Sequence, residues 1–377
     1  WNGDGEQVDP LFTHGTTAVF NTTEGDMVVH PPVGKWVIAF GEWVFGSTSS
    51  FGWRFSVALL GTISILMVGR IARRLFRSSW LGAIASFLMA FEGHHFVHSR
   101  TGLLDIILMF FALAAFGALL IDRDWGRERL AAKAARLPAS FATGPWLLWR
   151  PWRLVAAIFL GLACGTKWSG LYFIMFFGLM SVFSDLALRK RYGVRRYIVG
   201  TLVRDTPAAL ASLVLVPVLL YAWTWRAWFS SETAVYRHAK VDGTIEDGSW
   251  LMHLPESLAG WFYYHSSVLE FHASLTSSGG HHHPWDSKPW AWLVAARPIL
   301  YYSSTDLQCG DGSNECRKML YLFGTPAIWW LVIPAVLWGL WSLIIRRNRS
   351  FLIPLVGFGA GFLPWLAAFD RQMYFFY

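Results

Sequence analysis

Charge is scarce in this sequence. Only 15% of the 377 residues are Asp, Glu, Lys or Arg, against about a quarter in a soluble domain. Cysteine is scarcer still. The three cysteines include no second Cys pair, and no Cys/His spacing of a finger is present, which argues against a zinc module. No RNA-binding signature, internal repeat, low-complexity tract or secretory signal peptide is visible in these residues. A net charge of +8 and a pI near 9.5 invite a nucleic-acid reading, but most Lys and Arg stand in short runs at the ends of apolar segments, where they set membrane topology.

What is abundant points the same way. The chain is 54% hydrophobic, with 23 Trp and 29 Phe, and its mean hydropathy is +0.38. Trp is favoured at membrane interfaces, so the composition places the chain among membrane proteins. Because a spanning helix needs about 20 mostly apolar residues, spans are expected at 54–72, 79–97, 102–121, 154–166, 169–187, 206–228, 324–345 and 351–368. The fourth and fifth are short and read as a tight pair turning near Lys167-Trp168. Four basic residues fall in 70–77, seven in 122–153, six in 189–204 and three in 346–349, together twenty of the 32 Lys and Arg. These segments lie on alternate sides of consecutive spans and are therefore read as cytoplasmic.

The expected fold is an all-α polytopic membrane bundle in four parts. Residues 1–53 form a first outer loop whose stretch after H-P-P-V-G-K (30–35) is a helix on the membrane surface. Residues 54–228 hold about six spans. Residues 229–323 form a large outer loop with a second interfacial helix over 254–272, and 324–377 supply the closing spans. The chain starts at Trp1 without Met in a polar loop and stops at Tyr377 within a motif, so both ends read as truncations.

Ionisable groups at or inside a membrane are costly and mark function by default. Here they gather at one boundary: Arg54, Glu92 with His94, His95 and His98, Arg100, Asp105, Lys167, Asp370 and Arg371. Taken singly, Arg54, Arg100 or Arg371 reads equally well as a snorkelling side chain. As a set they read as an outer-face site for an anionic lipid head group, held by charge-assisted hydrogen bonds. His281, His282 and His283 are consecutive and lack a matching carboxylate–His spacing, so no metal site is assigned. Cys164 reads as a small buried residue. Cys309 and Cys316, in C-G-D-G-S-N-E-C, suit a disulfide if that loop is outside the cytoplasm. Asn21-Thr22-Thr23 matches a glycosylation acceptor pattern.

Several runs carry a resemblance. V-V-H-P-P-V-G-K (28–35), G-W-R-F-S (52–56), S-R-T-G-L-L-D-I-I-L-M-F-F (99–111), G-L-A-C-G-T-K-W-S-G-L-Y-F (161–173), F-H-A-S-L-T-S-S-G-G-H-H-H-P-W-D-S-K-P-W (271–290) and D-R-Q-M-Y-F-F-Y (370–377) occur in order over nearly the whole chain. Together they resemble the protein O-mannosyltransferases, in the compact actinobacterial form without a soluble β-trefoil module. The resemblance implies a GT-C helical bundle that moves mannose from polyprenyl-phosphate-mannose to Ser or Thr hydroxyls of exported proteins, with inversion, on the outer face of the cell membrane. The partners it implies are the lipid-linked donor, a Ser/Thr-rich acceptor met at the secretion translocon, and membrane lipid, with no nucleic acid and no cofactor beyond the donor. Arg54, Arg100, Lys167 and Arg371 become candidates for the donor phosphate. His30, Lys35, Glu92, Asp105, His272, His283 and Trp285 match family positions and are candidates for the sugar and acceptor pocket. The family's catalytic base is an Asp of an Asp-Glu pair early in the first outer loop. Asp4 and Glu6 lack its surroundings, so the base is expected upstream of residue 1 and the chain alone is expected to be inactive. Two other readings stay open: a transferase of the same architecture acting on glycan or lipid, and a transporter, which should show inverted repeats and mid-membrane polar groups.

Overall fold

A computed structural model describes residues 27–135, 142–280, 282–307 and 316–377. Asp4, Glu6, Asn21, His281 and Cys309 lie outside these residues.

Among the described residues, six helices are long and apolar enough to cross a membrane: α2 (Ser50–Phe76), α5 (Leu104–Ala134), α7 (Gly170–Arg191), α8 (Tyr197–Thr224), α10 (Pro326–Ile344) and α11 (Arg349–Ala367). Two shorter apolar helices, α3 (Ser79–Ala90) and α6 (Pro151–Cys164), complete the bundle. The two stretches read as interfacial helices are helical, as α1 (Val33–Phe45) and α9 (Glu256–Ser274).

The expected 79–97 span is two pieces. Helix α3 ends at Ala90, and a separate helix, α4 (Gly93–His98), restarts after Glu92. The cause is local: the Glu92 carboxylate accepts from the backbone N–H groups of His94 and His95, capping a new helix start. Helix α8 also deviates, with π turns at Thr201–Asp205 and Ala211–Leu215. Each is followed within two residues by a proline, Pro207 or Pro217. A proline ring clashes with the carbonyl four residues back, and a widened turn relieves this. A two-stranded antiparallel hairpin, β1 (Ile299–Leu307) and β2 (Cys316–Leu322), stands in the large loop and is absent from the all-α expectation. Cys316 is disulfide-bonded, and Cys164 is free and buried.

The main core joins α5, α6, α7 and α8 through Ala115, Ala118, Ala156, Ala157, Leu160, Phe177 and Leu213. Small residues on α5 and α6 allow close backbone approach, the usual means of helix association in lipid. A cavity of about 760 Å³ lies beside this core. It runs from His94, His98 and Asp105 at one end to Leu75, Phe76 and Pro354 at the other.

Candidate functional site

The site forms where five of these sequence motifs meet. Lys167 sits in the turn between α6 and α7, tied by its own N–H to the Ala163 carbonyl and by its carbonyl to the Gly170 N–H. Gly170 is required there, because a Cβ would stand 2.6 Å from the Cys164 nitrogen. Helix α1 docks on this turn. The Val33 N–H bonds the Gly165 carbonyl at 2.9 Å, and a Cβ on Gly34 would meet Leu104 at 2.5 Å and Thr166 at 2.9 Å. The H-P-P-V-G-K motif thus seats α1 against both the Lys167 turn and the start of α5.

Lys167 Nζ donates to Asp105 Oδ1 at 2.7 Å, with both side chains largely buried. The same ammonium lies 4.7 Å from the centre of the Tyr377 ring and 5.7 Å from that of Phe376. Arg371 lies 5.8 Å from the Tyr377 ring centre. Its Nη2 donates to His272 Nδ1 at 3.0 Å, which requires His272 to be neutral with Nδ1 unprotonated. Among the described residues, Arg371 Nε is buried without a hydrogen-bond partner. His30 stacks on His272 with ring centres 6.1 Å apart, and Lys35 Nζ returns to the His30 carbonyl at 2.7 Å.

Electrostatics within the cluster follow from this packing. The His30 imidazole is lowered to about 4, chiefly by burial and then by Lys167. His272 is lowered by burial, then by Arg371 and Lys167. Partial burial lowers the Lys35 ammonium to about 8. At neutral pH both histidines are therefore uncharged. Of Lys35, Lys167 and Arg371, only Lys167 has a salt bridge to a carboxylate, Asp105, among the described residues, and the group carries an excess of positive charge.

The C-terminal segment is laced into place. The Asp370 carboxylate takes the Ser278 hydroxyl. Gln372 N–H bonds the Leu275 carbonyl, Ser287 N–H the Met373 carbonyl, and Met373 N–H the Asp286 carboxylate. Lys288 Nζ donates to the Arg371 carbonyl at 3.0 Å. These bonds hold Arg371 and Tyr377 where they stand.

The other candidates fall elsewhere. The Glu92 carboxylate is occupied by the His94, His95 and Thr325 N–H groups and by Trp329 Nε1, so it locks α4 to α10 while lining the cavity. His283 packs on Tyr374 and accepts from the Trp285 N–H, and Trp285 packs on Tyr321. Arg54 is exposed and lies over Trp53, and Arg100 is exposed and lies over Phe96. Among the described residues no hydrogen bond joins Arg54, Arg100, His283 or Trp285 to the Lys167–Arg371 group. Also among these residues, no cluster of three or more His, Cys, Asp or Glu side chains is placed to hold a metal.

Sequence reasoning missed Tyr377, Tyr301 and the chain Trp168–Tyr221–His265. Tyr301 shares a 3.0 Å hydrogen bond with His98 at the cavity mouth, and burial and then Asp105 push its hydroxyl up. Trp168 Nε1 donates to the Tyr221 hydroxyl, which donates to His265 Nε2 at 2.7 Å. These are ordinary aromatics in an aromatic-rich sequence, and only Trp168 and Tyr377, each inside a quoted motif, carried any signal.

The family model described as dolichyl-phosphate-mannose-protein mannosyltransferase matches residues 20–227, and that for the C-terminal four-span region of protein-O-mannosyltransferase matches 257–377. The chain belongs to the protein mannosyltransferase family. Polyprenol-phosphate-mannose–protein mannosyltransferase of Corynebacterium glutamicum is 58% identical to it over 93% of this chain and 67% of that protein. The Mycobacterium tuberculosis protein of the same name is 46% identical with the same two shares. Among solved structures, the S. cerevisiae protein O-mannosyltransferase Pmt1-Pmt2 complex bound to the sugar donor matches with a TM-score of 0.67 at 14% identity, covering 98% of this chain and 78% of that one. That likeness establishes a shared fold. The chain is accordingly a multi-pass membrane protein of the mannosyltransferase family.

Proposed function

We propose that this protein transfers mannose from polyprenyl-phosphate-mannose to Ser or Thr hydroxyls of exported proteins, inverting the sugar carbon, at the extracytoplasmic membrane face. One juxtaposition carries the reading: a surplus of cations stands at the polar mouth of an apolar cavity that follows the bundle. A lipid phosphate needs both parts. Asp105 and Tyr377 line the cavity mouth, and Lys167 contacts both of them from behind. The isoprenoid chain would occupy the cavity along Ala112, Phe116 and Phe358, a volume within the usual range for small-molecule sites.

Lys167 and Arg371 then hold the phosphate oxygens by charge-assisted hydrogen bonds. Fixed donors aimed at the leaving phosphate stabilise the charge it gains as the bond to mannose breaks. Asp105 keeps the Lys167 ammonium aligned, and His272 does the same for Arg371 through Nη2. Lys35 adds charge from α1. Neutral His30 can serve as a hydrogen-bonding group for the sugar, and His283 and Trp285 shape the acceptor side. Oxygen attack on mannose C1 releases the hydroxyl proton to a base. Asp105 is committed to Lys167, and we assign the base to no described residue. Beyond the lipid-linked donor the proposal includes no cofactor, and it takes the acceptor as a chain emerging from the secretion translocon.

The choice of mannose and protein follows the names of the close relatives, and the orientation follows the arginine-rich segments, which share the opposite end of the bundle. The test is transfer of radiolabelled mannose from polyprenyl-phosphate-mannose to a Ser/Thr-rich exported protein, in membranes containing the full natural chain. Label released from protein by β-elimination, and lost with Lys167→Gln, is the expected result. Label in glycan or lipid instead would overturn the acceptor assignment.

A further inference from the structure

A second cleft, of about 540 Å³, opens between residues 244–251 and α9. Its walls combine aromatic rings with polar groups. Trp250, Phe262 and Tyr263 stand beside Glu246, Ser249 and Ser266, and His265 lies at its base.

The turn that carries Trp250 is built rigidly. Ser249 caps the short helix Trp250–His253, Leu251 and Ile245 are buried with Ala239 and Ala259, and the Ile245 N–H bonds the Ala239 carbonyl at 2.8 Å. Asp242 fixes the preceding loop through the Thr244 N–H and hydroxyl. On this support Trp250 is 62% exposed, and its ring centre lies 5.7 Å from that of Phe262. Among the described residues no hydrogen bond or ion pair engages the Glu246 carboxylate or the Trp250 indole N–H. The exposed ring and Phe262 together give the cleft an aromatic wall.

The charge around the ring narrows the occupant. Glu246 lines the cleft, Asp242 and Asp247 precede Trp250 in sequence, and the one nearby lysine, Lys240, is bonded to the Leu254 carbonyl, so the local charge disfavours phosphate-bearing ligands and an anionic lipid surface. A neutral, hydroxyl-rich ligand with one apolar face suits it. Sugar C–H groups stack on the aromatic ring, and sugar hydroxyls donate to the carboxylate and exchange hydrogen bonds with the serines.

We propose that this cleft binds a neutral saccharide carried by the acceptor chain, distinct from the lipid-linked sugar at the Lys167 site. It is joined to that site by His265, whose Nε2 accepts from Tyr221, which in turn accepts from Trp168, the neighbour of Lys167. The saccharide class rests on the cleft itself, and mannose as the probe rests on the transferase reading.

The test is isothermal titration of the full protein in nanodiscs with a Ser/Thr peptide, bare or bearing one O-linked mannose. The mannosylated peptide is expected to bind about tenfold tighter, the scale of one aromatic contact with its hydrogen bonds. That preference should vanish in both Trp250→Ala and Glu246→Gln, exposed positions whose replacement leaves the melting temperature unchanged, and should persist in Lys167→Gln. Equal binding of the two peptides, or a preference that survives both cleft variants, overturns the proposal. If the transferase reading alone is wrong, transfer to protein is absent while the binding preference remains.

Discussion

At the arginine-rich end of the bundle, three arginines face three aspartates with no charge left over. Arg150 forks onto Asp122 at 2.8 and 2.6 Å and reaches Asp185 at 3.1 Å. Arg153 also bonds both carboxylates. Arg189 binds Asp205 and the carbonyls of Thr143 and Pro145. All six side chains are buried. At the Lys167 end, only one of three cations, Lys167, has a salt bridge to a carboxylate among the described residues, an arginine nitrogen has no partner among them, and a cavity lies next to them. Balanced charge with complete hydrogen bonding is architecture: here it fastens residues 143–153 to α5, α7 and α8. Surplus charge beside a space is a site.

This contrast can be broken from either side. The largest effect is expected at the closed end. Arg153→Ala leaves Asp185 and Asp122 short of a partner in a dry environment and should cost about 3–5 kcal/mol, read as loss of thermal stability in nanodiscs. Mannose transfer per folded molecule should change little. Lys167→Gln should invert that pattern, lowering transfer about 10²–10³-fold, the usual cost of removing one preorganised electrostatic contact, with a much smaller stability loss.

Arg371→Lys keeps the charge but removes the fork between His272 and the space beyond. About a tenfold rise in the KM for donor is expected, with kcat largely kept. The pH dependence sharpens the picture further. Lys35 has its pKa lowered to about 8, so its charge is present below that pH and lost above it. Donor KM should rise as pH passes from 7 to 9, and Lys35→Arg should remove that rise. The smallest effect belongs to Arg54→Ala. This exposed residue lies over Trp53 at 4.3 Å, a contact worth about 0.5–1 kcal/mol, and transfer should stay within about twofold of the unaltered protein.

How much of this is legible in the sequence follows from the physics of each feature. Lipid imposes a length and a composition on spanning helices, so most spans can be located by counting. The break at Glu92 could not be found that way, because it depends on a carboxylate turning back to cap α4 and on Thr325 and Trp329 arriving from far along the chain. Lys167, Asp105 and Arg371 stand out as costly boundary charges, but their pairing does not. Lys167 meets Asp105 across 62 positions, and Arg371 meets His272 across 99. Arg54 and Arg100 carry the same signal in sequence and end in cation–π contacts instead. The arginines at 150, 153 and 189 count toward topology, and only the fold reveals that buried aspartates neutralise them. Trp250 is one of 23 tryptophans, and nothing in its neighbours announces a cleft.

The central claim is that the Lys167–Arg371 surplus at the cavity mouth holds a lipid phosphate. The most direct measurement is the ³¹P resonance of polyprenyl phosphate in nanodiscs containing the full protein, compared with the Lys167→Gln, Arg371→Ala double variant and with Arg54→Ala. The account predicts a protein-bound resonance that disappears in the double variant and persists in Arg54→Ala. A bound resonance unchanged in the double variant would contradict it.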